Sequence, residues 1–352
     1  MTAIMAMLWR FLIGAFVLVS CLILALFSGQ SVAAEAVPLK RASFMPLWSP
    51  QAQFAGYYVA LDKGFYRRHG IDLRILRAGP GYSPLDALQQ GEADFTALWL
   101  TTAIRQRAQG VELVNLAQLI QRSSLLLIAR HDSGIDTVAA MAGRKVGLWG
   151  GDLSLPIEVL LAREGVEVVP VRQSMTVNLF LRGGVDVVSA MLYNEYHTLL
   201  NAGVNAEELT VFALAELGFN VPEDGLYMLE SRLQDDPALA SAFVTASLEG
   251  WDYAFAHPEE ALDILIKYMR EAQVPANRVH QRWMLARMAD LMQPQAGAAI
   301  GTLRQEDYRA TGDMLLQAGM VSAIPPYGRF TGGERAEAKK EEESDRAGSP
   351  EK

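Results

Sequence analysis

The feature that most constrains the fold is the alternation of short apolar runs with amphipathic stretches between residues 38 and 330. An apolar run such as 125–129 has the length of a buried strand. A stretch such as 52–63, with apolar residues three or four positions apart, has the periodicity of a helix. Strands and helices in alternation are typical of βαβ units around a largely parallel sheet. The sequence therefore predicts an α/β fold with mostly parallel sheets flanked by helices.

The length of this region predicts two lobes, because it exceeds what one hydrophobic core usually serves. The chain crosses between lobes near residues 126–131 and returns near 212–226. We expect the following division: lobe 1 comprises 38–128 and 215–330, and lobe 2 comprises 129–214. Two crossing strands act as a hinge, and a ligand cleft lies beside them.

The first 34 residues have the order of a secretory signal. Arg10 precedes the uncharged apolar run 11–27, and small residues at 32–34 end the segment. We expect cleavage after this segment and export of the rest to the periplasm. A retained membrane anchor is an alternative, since the run approaches the roughly 20 residues that span a bilayer. Lipidation at Cys21 is another.

Composition excludes several functions. Without residues 1–34 the chain has 30 basic and 40 acidic residues and no cysteine, because Cys21 is the only one. An exported chain of this kind has no thiol for a disulfide or for nucleophilic attack. Its acidic balance, with no basic tract, argues against nucleic acid as a partner. The five histidines show no pair at metal-ligand spacing, so we predict neither metal nor cofactor.

The last 22 residues, 331–352, mix charged residues with serine and glycine and show no apolar periodicity. Such a composition cannot bury a core, so we predict a disordered charged tail.

The most informative segment is 48–66, which reads WSPQAQFAGYYVALDKGFY. It places a tryptophan, a proline turn and two amides at the carboxyl end of the first predicted strand. Open α/β sheets receive their ligands at that end of the strands. The segment is therefore a candidate wall of a ligand site.

This segment resembles the substrate-binding proteins that deliver thiamine pyrimidine precursors, and their relatives for sulfonates, nitrate and flavins. The resemblance covers nearly all of 40–330 and includes the motif at 62–66, Asp-Lys-Gly-Phe-Tyr. Three further stretches, 91–95, 143–147 and 183–187, match recurrent landmarks of the family. The resemblance implies the two-lobed periplasmic binding protein type II fold and a small-molecule ligand. It also implies an ABC permease in the inner membrane as partner; we expect a monomer.

By this resemblance Trp48 is a wall on which a flat ring stacks, and Gln51 and Gln53 offer amides to the edge of that ring. Phe54 and Tyr57 are further candidate ligand contacts on the same segment. The spacing of Tyr57 also fits the apolar face of a helix, where it would only pack.

A second candidate wall is the loop Trp149-Gly150-Gly151-Asp152, which precedes a predicted helix. Bare backbone N–H groups at a helix start face whatever lies in the cleft. Asp152 can cap the same helix and would repel an anion, so we read the loop as a polar wall.

A third candidate group is Tyr193-Asn194-Glu195, where a predicted strand ends and a helix begins. In the resembling pyrimidine binders a glutamate preceded by asparagine or an aromatic residue occupies this place. Glu195 would then accept a hydrogen bond from a ring amino or N–H group. The alternative is an ordinary acid in a helix first turn. Thr101 is a weaker candidate, because its hydroxyl is equally suited to cap a helix.

The sequence departs from the family at one informative place. Fungal pyrimidine synthases of this fold consume a histidine six positions after the matching tryptophan, beside a cysteine-rich iron site. Here that position is Phe54, and the exported chain lacks cysteine. We therefore expect a binding protein without catalysis, for a thiamine pyrimidine precursor of the formylaminopyrimidine or hydroxymethylpyrimidine type. The main alternative is a ligand of the sulfonate, nitrate or riboflavin type. Less favoured alternatives are a precursor synthase and a membrane-anchored sensor module.

Overall fold

The computed structural model describes residues 38–293 and 299–333. The predicted signal segment, Cys21 and the tail beyond residue 333 lie outside the described residues. Within that part of the chain, no helix has both the length and the apolar character needed to cross a membrane.

The described strands form two five-stranded sheets, in the orders β2-β1-β3-β10-β4 and β7-β6-β8-β5-β9. The strands are β1 (Lys40–Met45), β2 (Ile71–Ile75), β3 (Phe95–Trp99), β4 (Leu113–Gln118), β5 (Leu125–Arg130), β6 (Lys145–Leu148), β7 (Val169–Arg172), β8 (Val187–Met191), β9 (Leu209–Ala213) and β10 (Asp224–Leu229).

Helices cover both sheets and account for most of the chain after β10. The α-helices of the described residues are α1 (Ala55–Asp62), α2 (Phe65–Arg68), α3 (Pro84–Gln89), α4 (Leu100–Ala108), α5 (Leu155–Arg163), α6 (Asn178–Leu181), α7 (Glu195–Asn201), α8 (Glu230–Asp235), α9 (Pro237–Ala256), α10 (Pro258–Glu271), α11 (Arg278–Met292), α12 (Gln305–Gln317) and α13 (Tyr327–Phe330).

Each sheet is mixed, with one strand running against its neighbours. In the first sheet β10 is antiparallel to β3 and β4, and in the second sheet β5 is antiparallel to β8 and β9. These are the strands by which the chain enters the second sheet and returns to the first. The other pairings between neighbouring strands are parallel. The predicted α/β class with mostly parallel sheets is thereby confirmed.

The second sheet is built from a continuous stretch, 125–213, that lies between β4 and β10 in the sequence. The largest core cluster nevertheless contains side chains of both sheets, for example Phe44 and Leu127. The division into two lobes at the boundaries given above stays a prediction.

Three predicted helices differ from the observed ones. The helix expected over 52–63 divides into a 3-10 turn at Ala52–Phe54 and α1. The apolar pattern of 135–141 also predicts a short helix, but the structure has only a 3-10 turn at Ala139–Met141. Pro275 suits a first helical position and predicts a helix start there. The observed helix begins at Arg278, because the side chain of Asn277 accepts from the backbone N–H of His280 and caps the helix there.

The core of the first sheet is closed by the crossing of α1 and α9. A Cβ atom at Gly250 of α9 would lie 2.1 Å from the carbonyl oxygen of Gly56 in α1, so the two backbones touch. Close by, Phe243 stacks on Phe95 with a centroid distance of 3.9 Å. This crossing places α1, and with it the segment that follows Trp48, against the sheet.

We predict that Gly250→Ala lowers the free energy of unfolding by about 1–3 kcal/mol, as overpacking of a core usually does. Gly312→Ala is the matched control. Both replace a helical glycine and gain about 1 kcal/mol of helix propensity. At Gly312 the new Cβ would lie 2.7 Å from Cγ2 of the half-buried Ile324, a side chain that can shift more easily than the backbone oxygen met at Gly250, so a smaller loss is expected. Denaturant titration of both variants measures the difference; equal stabilities would contradict the close crossing.

Candidate functional site

The two crossing segments are joined by one buried acid. Glu223 is 2% exposed and stands just before β10. Its Oε1 accepts from the backbone N–H of Ser124 at 2.6 Å and from the hydroxyl of Ser123 at 3.2 Å. Its Oε2 accepts from the Ser124 hydroxyl at 2.8 Å. Since Ser123 and Ser124 precede β5, Glu223 ties the outgoing crossing to the returning one.

Asp224, the next residue, presents a carboxylate at the edge of the first sheet where β1 and β3 end. It is 5% exposed and pairs with Trp99, the last residue of β3. Its Oδ2 accepts from Gln53 Nε2 at 2.8 Å, and a weaker hydrogen bond from the Trp99 side chain also lowers the pKa of Asp224. Its Oδ1 is buried and has no well-formed hydrogen bond among the described residues. Gln53 Oε1 in turn accepts from Gln51 Nε2 at 2.7 Å. The two predicted glutamines therefore bond to each other and to Asp224.

Glu195 is 7% exposed at the start of α7, at the carboxyl end of β8. Its Oε2 accepts from the backbone N–H of Met191 at 2.9 Å. Its Oε1 accepts from Asn194 Nδ2 at 2.8 Å. Both oxygens already have a protein donor, and each retains acceptor capacity for a second.

Tyr193 brings the acids of the two sheets into one cluster. Burial raises the pKa of its hydroxyl well above the ordinary value, and the nearby charges of Glu223, Asp224 and Glu195 raise it further. Tyr193 therefore lies within electrostatic range of all three acids. We call Gln53, Tyr193, Glu195, Glu223 and Asp224 the acid cluster.

Burial is the largest cause of the raised pKa values of the three carboxyl groups in this cluster. It raises the pKa of Glu195 to about 7, that of Glu223 to about 8 and that of Asp224 to about 6. Hydrogen bonds that donate to the carboxylates act in the opposite direction. At pH 7 Asp224 is therefore mostly ionised and Glu223 mostly neutral.

The remaining predicted contacts on the first sheet fall into two groups. Trp48 is half-buried and packs against the main core cluster. Phe54 and Tyr57 are 1% and 2% exposed, and the ring of Tyr57 contacts Phe44 at a centroid distance of 4.7 Å. Those two side chains pack in the core, as the helix-face alternative expects of Tyr57. A ligand contact from them stays a prediction.

The predicted loop after β6 has the backbone expected of its glycines. Gly150 and Gly151 both have positive φ, 83° and 61°, which glycine adopts without strain. Trp149 is half-buried beside them. The side chain of Asp152 lies outside what the structure describes. The ligand-binding role of this loop stays a prediction.

The Thr101 hydroxyl on α4 is buried and, like Asp224 Oδ1, has no hydrogen-bond partner among the described residues. Sequence reasoning missed Glu223 and Asp224 entirely. A signal was present, because 222–225 reads Pro-Glu-Asp-Gly directly before an apolar strand. Adjacent acids in such a turn are usually solvated, and only the fold reveals that both are buried. No group of three potential metal-ligating side chains occurs among the described residues.

Comparison with known proteins identifies related chains. Residues 51–261 match the family described as NMT1/THI5 like. Riboflavin-binding protein RibY of Chloroflexus aurantiacus is 26% identical over 303 residues, covering 81% of this chain and 83% of RibY. The formylaminopyrimidine-binding protein of Halalkalibacterium halodurans is 23% identical over 275 residues, covering 74% and 81%.

Enzymes and solved structures are also among the matches. The 4-amino-5-hydroxymethyl-2-methylpyrimidine phosphate synthase of Legionella pneumophila is 24% identical over 258 residues, covering 67% of this chain and 76% of the synthase. The fold is similar to the periplasmic aliphatic sulphonate binding protein SsuA of Escherichia coli, with a TM-score of 0.62 and 17% identity. That match covers 82% of this chain and 91% of SsuA.

We predict that stability without ligand falls by roughly 1–2 kcal/mol between pH 7 and pH 8.5. In this range the folded state releases protons from Glu195 and Glu223, whereas the unfolded state has already released them, so rising pH favours unfolding.

In Glu223→Gln most of the slope of the free energy of unfolding against pH should disappear, because glutamine keeps an acceptor for Ser124 N–H but does not titrate. The exposed Glu112→Gln serves as control and should keep the wild-type slope. Chemical denaturation across the pH range measures it; equal slopes in all three proteins would contradict the buried acid.

Proposed function

The chain belongs to the NMT1/THI5-like family, and on that premise we propose that it is the substrate-binding component of an ABC importer. Its ligand is a small planar heterocycle with N–H or amino donors, of the thiamine pyrimidine precursor type. The protein binds this ligand between its two sheets and delivers it to a permease without changing it chemically.

One observation carries the proposal, namely the buried Oδ1 of Asp224, which has no well-formed hydrogen bond among the described residues. A buried carboxylate oxygen without a donor is costly, and native proteins usually satisfy such atoms. An amino or N–H group of a ligand supplies the donor. Gln53 holds the other carboxylate oxygen, so Asp224 is oriented before the ligand arrives.

The surroundings of Asp224 suit a flat, neutral or cationic molecule. Trp48, half-buried at the end of β1, offers an aromatic face for stacking. Glu195 and Tyr193 supply further polar groups from the second sheet. Convergence of a few polar groups with aromatic walls is typical of small-molecule sites.

The acid cluster argues against an anionic ligand such as a sulfonate or nitrate. Among the described residues, those that are buried include three acids of this cluster but no lysine or arginine. An anion at this place would meet an ionised Asp224 and find no buried cation to compensate the cost of its desolvation. The similarity to SsuA therefore supports the fold and not the ligand.

Riboflavin is the second candidate, because RibY aligns over 81% of this chain. Its ring system is also planar and carries a ring N–H, so the same acceptor suits it. A larger ring would need a larger opening between the sheets.

We also propose that the chain acts in the periplasm after removal of residues 1–34, as a monomer with two hinged lobes. The absence of catalysis is part of the proposal. It is supported by Phe54, which lies in the core where the synthases of the resemblance use a histidine. Stoichiometric iron in the purified protein would instead favour a synthase.

Isothermal titration of the purified protein tests the ligand class. We expect 4-amino-5-hydroxymethyl-2-methylpyrimidine, its formylamino counterpart or riboflavin to bind, and an alkanesulfonate to fail. Asp224→Asn should weaken binding at least tenfold. In this variant the amide oxygen still accepts from Gln53, so the amide N–H₂ group takes the place of Oδ1. Two donors then face each other, and the hydrogen bond to the ligand is lost. One tenfold step corresponds to about 1.4 kcal/mol.

The control for this variant is Asp252→Asn, an identical substitution at an exposed position on α9. It should bind like the wild type. Binding of the sulfonate alone, or unchanged affinity in Asp224→Asn, would show that the proposed ligand class is wrong.

A further inference from the structure

One turn of α11 contacts both sides of the candidate site. Towards the first sheet, Gln281 Oε1 accepts from the backbone N–H of Ala52 at 2.7 Å. Met284 Sδ accepts from the backbone N–H of Gln53 at 3.2 Å. Towards the second sheet, Trp283 Nε1 donates to the carbonyl oxygen of Leu192 at 3.2 Å. The helix thus binds the segment that follows Trp48 and the segment that leads to Glu195.

A chain of hydrogen bonds runs from this turn to the acid cluster. His280 Nε2 lies 2.9 Å from Asn194 Oδ1, and Asn194 Nδ2 donates to Glu195. The amide nitrogen faces a carboxylate, so the amide oxygen faces His280, and His280 Nε2 is the donor. His280 therefore fixes the orientation of Asn194, and Asn194 fixes that of Glu195.

The other ring nitrogen of His280 contacts a second histidine. His280 Nδ1 and His197 Nδ1 are 2.9 Å apart, and the two rings stack at a centroid distance of 5.2 Å. On its other side His197 stacks on Trp283 at 4.7 Å and 4°. With His280 Nε2 protonated, a neutral His280 accepts at Nδ1 from His197 N–H. The pair accommodates one extra proton, but a second would place two N–H donors and two positive charges in contact.

Nearby charges do not offset this repulsion directly. Burial lowers the pKa of both histidines, and the charge of His197 lowers that of His280 further. Glu195 acts only through Asn194. The neutral amide of Asn201 lies 3.2 Å from His197 Nδ1, and it turns its oxygen to that nitrogen when His197 donates to His280. Tyr196 is the other titratable side chain of α7, and the charged side chains of α11 are Arg278, Arg282, Arg287 and Asp290. On α10, Glu259 and Asp263 contact the arginines of α11. Arg278 and Arg282 are paired with Glu259, Arg278 also with Asp263, and Arg287 with Asp290.

We propose that α11 is a clasp that holds the two sides of the site together, and that His280 is the positioning residue that orients Asn194 and Glu195. Double protonation of the His197–His280 pair opens the clasp, so acid releases the site. Only the ligand-affinity part of this inference rests on the proposed function.

Hydrogen exchange of the ligand-free protein tests the clasp, with rates corrected for intrinsic pH dependence. Between pH 7.5 and pH 5 the wild type should lose at least tenfold protection in 192–201 and in 278–292. His280→Gln should keep its protection at both pH values, because the glutamine amide reaches Asn194 and does not titrate. His280→Leu should lose protection at both.

The control is His69→Gln, a histidine that pairs with Glu249 of α9 and not with the acid cluster, and it should behave like the wild type. Constant protection in the wild type, or a His280→Gln variant that behaves like His280→Leu, would overturn the proposal. Wild-type protection in His280→Leu at pH 7.5 would overturn it as well.

The affinity for 4-amino-5-hydroxymethyl-2-methylpyrimidine, measured at both pH values, extends the test to binding. Asp224 and Glu195 titrate in every variant, so the ratio of wild type to His280→Gln isolates the clasp. This ratio should change at least tenfold on acidification; a constant ratio would contradict the link between clasp and site. If neither this pyrimidine, nor its formylamino counterpart, nor riboflavin binds, the proposed function fails, while the exchange experiment still decides on the clasp.

Discussion

The structure of the site depends on the hydrogen bonds between Glu223 and the serines at 123 and 124. These bonds join the strand that leaves the first sheet to the strand that returns to it. A buried charge here would be costly. Burial raises the pKa of Glu223 to about 8, so the carboxyl group is mostly protonated at neutral pH and much of that cost does not arise. The largely neutral acid still accepts from the Ser124 N–H. Because the crossings are held together, the ends of the two sheets meet at one place.

Two adjacent acids have different parts in this arrangement because their partners differ. Glu223 receives three donors from the neighbouring crossing, so it serves the architecture. Asp224 accepts from Gln53 and more weakly from the Trp99 side chain, and its Oδ1 lacks a well-formed hydrogen bond. Carboxyl groups in contrasting environments are a common basis for a division of roles. Here the division separates the residue that holds the crossings from the residue that we propose faces the ligand.

The helices at the end of the chain belong to the site as much as the sheets do. The family match ends at residue 261, yet α11 at Arg278–Met292 contacts both the segment after Trp48 and the segment before Glu195. Helices that follow the last strand thus do more than cover the first sheet. They link the segment after Trp48 to the second sheet, which is where an opening and closing motion between the sheets would have to act.

The sequence by itself determined the α/β class, most element positions and the segments near the site, because periodicity and turn residues act locally. It located Trp48, Gln53 and Glu195 at the ends of strands. Only the tertiary structure decided what these side chains contact. Gln53 bonds to Asp224, which is 171 positions away, and Asn194 bonds to His280. Such partners carry no periodic signal, since burial and pairing of polar groups arise only when distant segments pack together.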